Sequence, residues 1–157
     1  MKDLSILEEI IGIDFKNQKD LLKNAFTHST YANENRNCEH NERLEFLGDA
    51  VLGLVIAEYC FINFPEREGE LTEKRKSVVK NEIVAQVAEE MGLEDFLFIG
   101  KGEYENKEEK ARQKRLGNAL EALIGAIFLH EGYNIAKKFI MSFFSKYIES
   151  LSKEYYD

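Results

Sequence analysis

An all-α fold is predicted from three observations. Apolar residues recur at three- and four-residue spacing along almost every long segment, and no stretch alternates as a half-buried strand would. A single proline and ten glycines leave little punctuation between segments.

The spacing predicts helices over 4–11, 18–25, 42–61, 70–79, 81–91, 110–129 and 134–152. Their ends carry matching stop signals. Gly92 follows a helix ending at Met91, Gly132 follows one ending near His130, and Pro65 follows Phe64. Asn41 is a natural N-cap for the third helix. Segment 100–110, GKGEYENKEEK, is highly polar and is expected as a mobile loop or a frayed helix start. No internal repeat, low-complexity tract or flexible linker divides the chain, so residues 1–157 are expected to form one domain.

Composition narrows the class. A hydrophobic fraction of 44% with 32% charged residues fits a soluble globular protein rather than a disordered one. The longest apolar runs, 50–64 and 119–129, contain charges or are too short to span a bilayer. The start, MKDLSILEEI, lacks the basic region and cleavage site of a signal peptide, so a cytoplasmic location with no membrane partner is expected. Cys38 in a polar loop and Cys60 in an apolar helix suggest neither a metal pair nor a disulfide framework. A net charge of −8 opposes adhesion to nucleic acid over the whole surface but allows local basic patches.

The chemistry sits in two short stretches. In NERLEFLGDAV, Glu42, Glu45 and Asp49 are at i, i+3 and i+7, which at about 100° per residue places them within roughly 60° of one another. Glu42 alone could serve the helix dipole. Asp49 could not, since it interrupts an apolar run and is expected to be buried, where an unpaired carboxylate is costly. In GNALEALIGAIFL, Asn118 and Glu121 are the only polar side chains, again at i, i+3. If the two helices cross with these faces together, four carboxylates and one amide converge, and a cation is the natural compensation. The ligand set is all oxygen, which suits Mg²⁺ or Mn²⁺ rather than zinc. Hard divalent ions held by carboxylates serve phosphodiester hydrolysis, so a metal-dependent phosphoryl-transfer enzyme is expected. A phosphohydrolase acting on a small nucleotide fits the same residues.

The stretch NERLEFLGDAVL resembles the signature of the ribonuclease III family, the endonucleases that cut double-stranded RNA. Further matches follow the family order: FTHSTYANE before it, then EGELTEKRKSVV, IGKGE and LGNALEALIGAIFL. The resemblance covers nearly the whole chain. It implies an all-helical endonuclease domain acting as a homodimer in RNA processing, with duplex RNA lying in a valley between the subunits. Each site would use Mg²⁺, replaceable by Mn²⁺, to leave a 5′-phosphate and a 3′-hydroxyl with two-nucleotide 3′ overhangs. Carried over by motif, Asp49, Glu121 and Glu45 are catalytic, and Glu42, Glu45, Asp49, Asn118 and Glu121 form the metal set. Phe46 matches an aromatic that inserts into the partner subunit, and Arg43 is expected to orient a carboxylate by a bidentate pair.

Two departures stand out. The family pattern has an aspartate at the position of Asn118, so an engineered or recently acquired change that reduces activity is expected. A catalytically silent dimer that binds duplex RNA or scaffolds an assembly is the alternative. Bacterial members also usually continue into a double-stranded RNA-binding domain, which is expected to be absent from this chain, the chain being either a shortened form, the favoured reading, or a member reduced to its catalytic domain. His130 stands where the family usually has an acid, and is expected to act as helix-end chemistry. Lys110, Arg112, Lys114 and Arg115 form a basic run beside the acids, expected to hold phosphate backbones, whereas Lys74, Arg75 and Lys76 are expected as a solvated face. His28 is expected to hold backbone rather than to act in catalysis.

Overall fold

A computed structural model of the chain describes residues 3–36 and 38–156, with side chains through Ser152; residues 1, 2, 37 and 157 of the expected domain lie outside the described residues. The fold is all-helical, as predicted. In chain order the α-helices are α1 (Leu4–Ile11), α2 (Lys19–Ala25), α3 (Ser29–Glu34), α4 (Glu42–Asn63), α5 (Glu68–Val79), α6 (Asn81–Glu90), α7 (Lys101–Glu105), α8 (Glu109–Glu131), α9 (Tyr133–Phe143) and α10 (Ser145–Tyr156). Short 3₁₀ turns span Lys16–Gln18 and Leu93–Phe96.

Helix α8 is the axis of the core. Every residue from Ala119 to Ile127 is buried, because α4, α6, α2 and α9 pack around it. Apart from Glu121 its sequence there is apolar on all sides, the pattern of a helix with almost no solvent face. The longest shared contact is with α4, where Gly48 meets Glu121 and Gly125. A Cβ built on Gly48 would lie 1.6 Å from the Glu121 carbonyl oxygen, and one on Gly125 would lie 2.4 Å from the Leu44 carbonyl oxygen. Only glycine lets the two backbones touch there.

The chain departs from its periodicity at several places. Segment 134–152 is two helices broken at Phe144, which is fully buried at φ −99°, ψ 7°. The apolar spacing Ile140, Phe144, Ile148, Leu151 runs on through the break and hides it. Helix α3 is too short and polar to show a period; the His28 side chain caps it by accepting from Thr30 N–H. Helix α7 lies in the segment expected as a loop, tied down by Lys101 N–H to Glu34 Oε2 at 2.8 Å and Gly100 N–H to Thr30 Oγ1 at 2.9 Å. A single parallel bridge joins Thr27 to Phe98. Gly92 and Gly132 stop their helices at positive φ, as expected. Asn41 does not cap α4: its Nδ2 donates to the Ala25 carbonyl at 3.1 Å, and its N–H bonds Thr27 O, so it ties the start of α4 to the end of α2.

Candidate active site

The crossing of α4 on α8 brings both acidic stretches to one cavity of about 950 Å³. Glu42, Glu45 and Asp49 from α4 line it together with Asn118 and Glu121 from α8. All five sequence-derived metal candidates are thus assembled at one place. The burial pattern corrects one expectation. Asp49 is exposed, because the buried strip of α4 runs through Gly48, Val51 and Leu52 and turns Asp49 outward into the cavity. Glu121 is the buried carboxylate, at 7% exposure.

The electrostatics follow from that placement. Burial pushes the Glu121 carboxyl up to about 8, with the adjacent Asp49 carboxylate and then Glu45 adding to the rise. Burial also raises Glu45, reinforced by Glu42 and Asp49 and opposed by the Lys114 ammonium. In the orientation that satisfies its hydrogen bonds, the Asn118 amide nitrogen donates to Glu45 Oε1 and to the Lys114 carbonyl, each at 3.3 Å. The amide therefore braces Glu45 where a carboxylate would repel it.

Among the described residues, no three His, Cys, Asp or Glu side chains stand in ready-made metal-binding geometry. The acids share a cavity in which Asp49 reaches Glu121, and burial together with that neighbouring acid raises the Glu121 pKa. The donor set nevertheless fits a hard divalent cation: it is all oxygen, it includes a buried carboxyl with an unfavourable charge, and it opens to a cavity large enough for ion, water and phosphate.

The basic residues divide. Lys110 and Lys114 line the acidic cavity. The Arg112 guanidinium is committed to Glu94 at 2.7 Å, Glu89 at 3.0 Å and Glu109 at 3.2 Å, and Arg115 to Glu103 at 2.7 Å. These arginines join α8 to the end of α6, to the 3₁₀ turn after it and to α7, a role that charge spacing does not reveal. Lys74 is not a solvated residue: its side chain is 12% exposed, 3.8 Å from Glu66 and over the Phe64 ring. Arg43 lines a neighbouring, more apolar cavity of about 600 Å³ with Leu21, Leu44, Leu47 and Leu129, and forms no bidentate pair among the described residues. Phe46 is 80% exposed between the two cavities. His130 does not cap α8; it stacks on Phe15 at 4.8 Å and bonds the Asp14 carbonyl and Gln18, pinning the loop after α1. Sequence reasoning missed Glu82, a further carboxylate that α6 brings to the acidic cavity, and no local pattern marks it.

Residues 18–148 match the family model described as Ribonuclease-III-like. The chain is 42% identical over 156 residues to ribonuclease 3 of Leptospira interrogans, covering 98% of this chain and 62% of that protein. It is 47% identical over 137 residues to ribonuclease 3 of Bdellovibrio bacteriovorus, covering 85% and 57%. It therefore spans about three fifths of the length of these curated relatives. A solved nuclease domain of ribonuclease III from Campylobacter jejuni, described for flexibility in a region involved in dimer formation, superposes with a TM-score of 0.83 at 38% identity, covering 92% of this chain and 97% of that one. A second structure of that nuclease domain gives 0.82 at 39% identity, covering 93% and 96%. No helix among the described residues is long and apolar enough to cross a membrane.

Proposed function

Because the chain belongs to the ribonuclease III family, we propose that it is a homodimeric, Mg²⁺-dependent endonuclease domain that cleaves double-stranded RNA. The observation that carries this reading is the single cavity lined by Glu42, Glu45, Asp49 and Glu121 together with the Asn118 amide. When bound by these residues, Mg²⁺, or Mn²⁺ in its place, supplies positive charge to the attacking and leaving oxygens of a phosphodiester.

The chain's own residues set the rest. Water attacks phosphorus, the P–O3′ bond breaks, and the departing oxygen takes a proton, leaving a 5′-phosphate and a 3′-hydroxyl. The attacking water loses one proton to solvent and O3′ gains one from solvent, so the step balances. Glu121, whose carboxyl is raised to about 8 by burial, would ionise more readily with a cation held beside it. Asn118 holds Glu45 in place, and Lys110 and Lys114 draw a phosphate backbone toward an otherwise acidic wall. Shape and 2′-hydroxyl contacts suffice to recognise a duplex, so base-reading side chains are not required. Phe46 provides the exposed aromatic for the partner subunit.

Asn118 supports a second element of the proposal, a rate lower than that of an aspartate form, since the amide removes one negative charge from the set. The test is incubation of a long labelled RNA duplex with the protein in Mg²⁺ and in EDTA, beside Asn118→Asp and a single-stranded control. Metal-dependent cutting of the duplex alone is expected. Binding without cutting by both forms would instead favour a silent duplex-binding or scaffold protein.

A further inference from the structure

His28 gives the acidic cavity a neutral donor whose proton can be located from geometry. His28 lines the cavity, and its Nδ1 faces two groups of Thr30: the N–H at 3.2 Å and Oγ1 at 2.7 Å. A backbone N–H can only donate, so Nδ1 accepts from it. The Thr30 hydroxyl already accepts from Gly100 N–H at 2.9 Å, which directs its own proton toward the imidazole as well. With Nδ1 occupied as an acceptor, the neutral ring carries its proton on Nε2. Burial lowers the His28 pKa below its ordinary 6.5, so the ring is neutral at pH 7. Among the described residues Nε2 has no protein partner.

We propose that His28 Nε2–H is a substrate contact, donating to a non-bridging phosphate oxygen of the RNA strand held over the carboxylates. The proposal rests on the reading of the cavity as a duplex-RNA site. A phosphate oxygen only accepts, and the bridge from Gly100 through Thr30 to His28 leaves the imidazole only a donor to offer. The contact explains how an acid-lined wall can seat an anion without a further positive charge. It also gives the pairing of α3 with α7 a purpose, since Thr30 and Gly100 come from segments 70 residues apart and together fix one proton.

Two substitutions separate this role from simple capping. Asn at position 28 keeps an oxygen acceptor where Nδ1 sits and is itself a favoured N-cap, but it lacks the distal donor. Gln keeps a donor near the Nε2 position and gives up the cap geometry. Affinity for a short RNA duplex is measured in Ca²⁺ in place of Mg²⁺, alongside thermal melts. His28→Asn is expected to melt with the parent and bind about tenfold more weakly, and His28→Gln to melt lower but bind within about threefold. Replacing the phosphate at the cleavage site by a neutral methylphosphonate should erase the difference between parent and His28→Asn, whereas 2′-deoxy sugars flanking it should preserve it.

Binding by His28→Asn equal to the parent overturns the proposal. So does weakening in proportion to lost melting temperature in both variants, which would make His28 a cap alone. Loss of the difference with 2′-deoxy sugars rather than the methylphosphonate also overturns it, by moving the contact to ribose. A parent protein that neither binds nor cuts duplex RNA removes the family reading and this proposal together, whereas a parent that does both beside an unaffected His28→Asn removes only this one.

Discussion

Placing alanine at Gly48 tests the crossing on which the whole site depends. The new Cβ would sit 1.6 Å from the Glu121 carbonyl oxygen and 2.9 Å from Gly125 N. Ordinary contact begins near 3.4 Å, so α4 and α8 must part by about 1.8 Å, with backbone on both sides and no flexible side chain to yield. Alanine gains about 1 kcal/mol of helix propensity over glycine, and overpacking costs about 3 kcal/mol or more at the upper end of its range, which a backbone-on-backbone clash this close selects. The net expectation is a loss of about 2 kcal/mol or more. Gly53, five residues along the same helix, has nothing within 4 Å of its hypothetical Cβ, so Gly53→Ala should gain about 0.5–1 kcal/mol. Urea unfolding followed by far-ultraviolet circular dichroism at one protein concentration reads both. Because the separation falls between Glu45 and Glu121, Gly48→Ala should also cut duplex cleavage about a hundredfold. A Gly48→Ala protein within 0.5 kcal/mol of the parent, or a Gly53→Ala protein that falls with it, refutes the reasoning.

Further outcomes follow from the same site. Mg²⁺ or Mn²⁺ should raise the melting temperature of the parent and do so less in Asp49→Ala; equal shifts would place the ion elsewhere. In EDTA, the Glu121 carboxyl is raised from 4.5 to about 8 in the folded state, so its contribution is fully present below pH 4.5 and is lost as pH rises toward 8. The loss should amount to a few kcal/mol at most, and Glu121→Gln should flatten that part of the curve; parallel curves would mean the carboxyl is not perturbed. Phe46→Ala should leave the monomer's stability nearly unchanged, since the ring is exposed, yet shift light-scattering mass toward the monomer. Asn118→Asp should raise the Mg²⁺-dependent cleavage rate, and an unchanged rate would remove the role given to that position.

Periodicity sufficed for the long helices because their apolar stripes are what the core needs. It failed where tertiary contacts decide. The bend at Phe144 is invisible because the same spacing serves one helix or two, and α3 and α7 are too short to show a period and are tied to one another through Thr30, Glu34 and Gly100. At the site, the spacing of Glu42, Glu45 and Asp49 found the right face but misjudged depth. An apolar neighbourhood in sequence made Asp49 look buried, while the helix turned it to the cavity and buried Glu121 instead. The partners of Arg112 and Arg115 come from α6, α7 and the turn between them, and Glu82 reaches the cavity only through the packing of α6 on α8. Such meetings are set by topology, which local pattern does not encode.

Helix α8 gives the two walls of the cavity different tempos. Residues 119–127 are all buried, with Glu121 alone reaching the cavity, so the backbone under Glu121 should exchange its amide protons only when the whole molecule unfolds. Glu42 lies in the first turn of α4, and His28 heads a helix of six residues, both held by a few hydrogen bonds at Asn41, Thr30 and Glu34 rather than by surrounding helices. The site is thus a fixed anvil facing an adjustable jaw. Adaptation to a new substrate has room in α3, α7 and the start of α4, whereas a change at α8 alters the foundation on which every other side chain is registered.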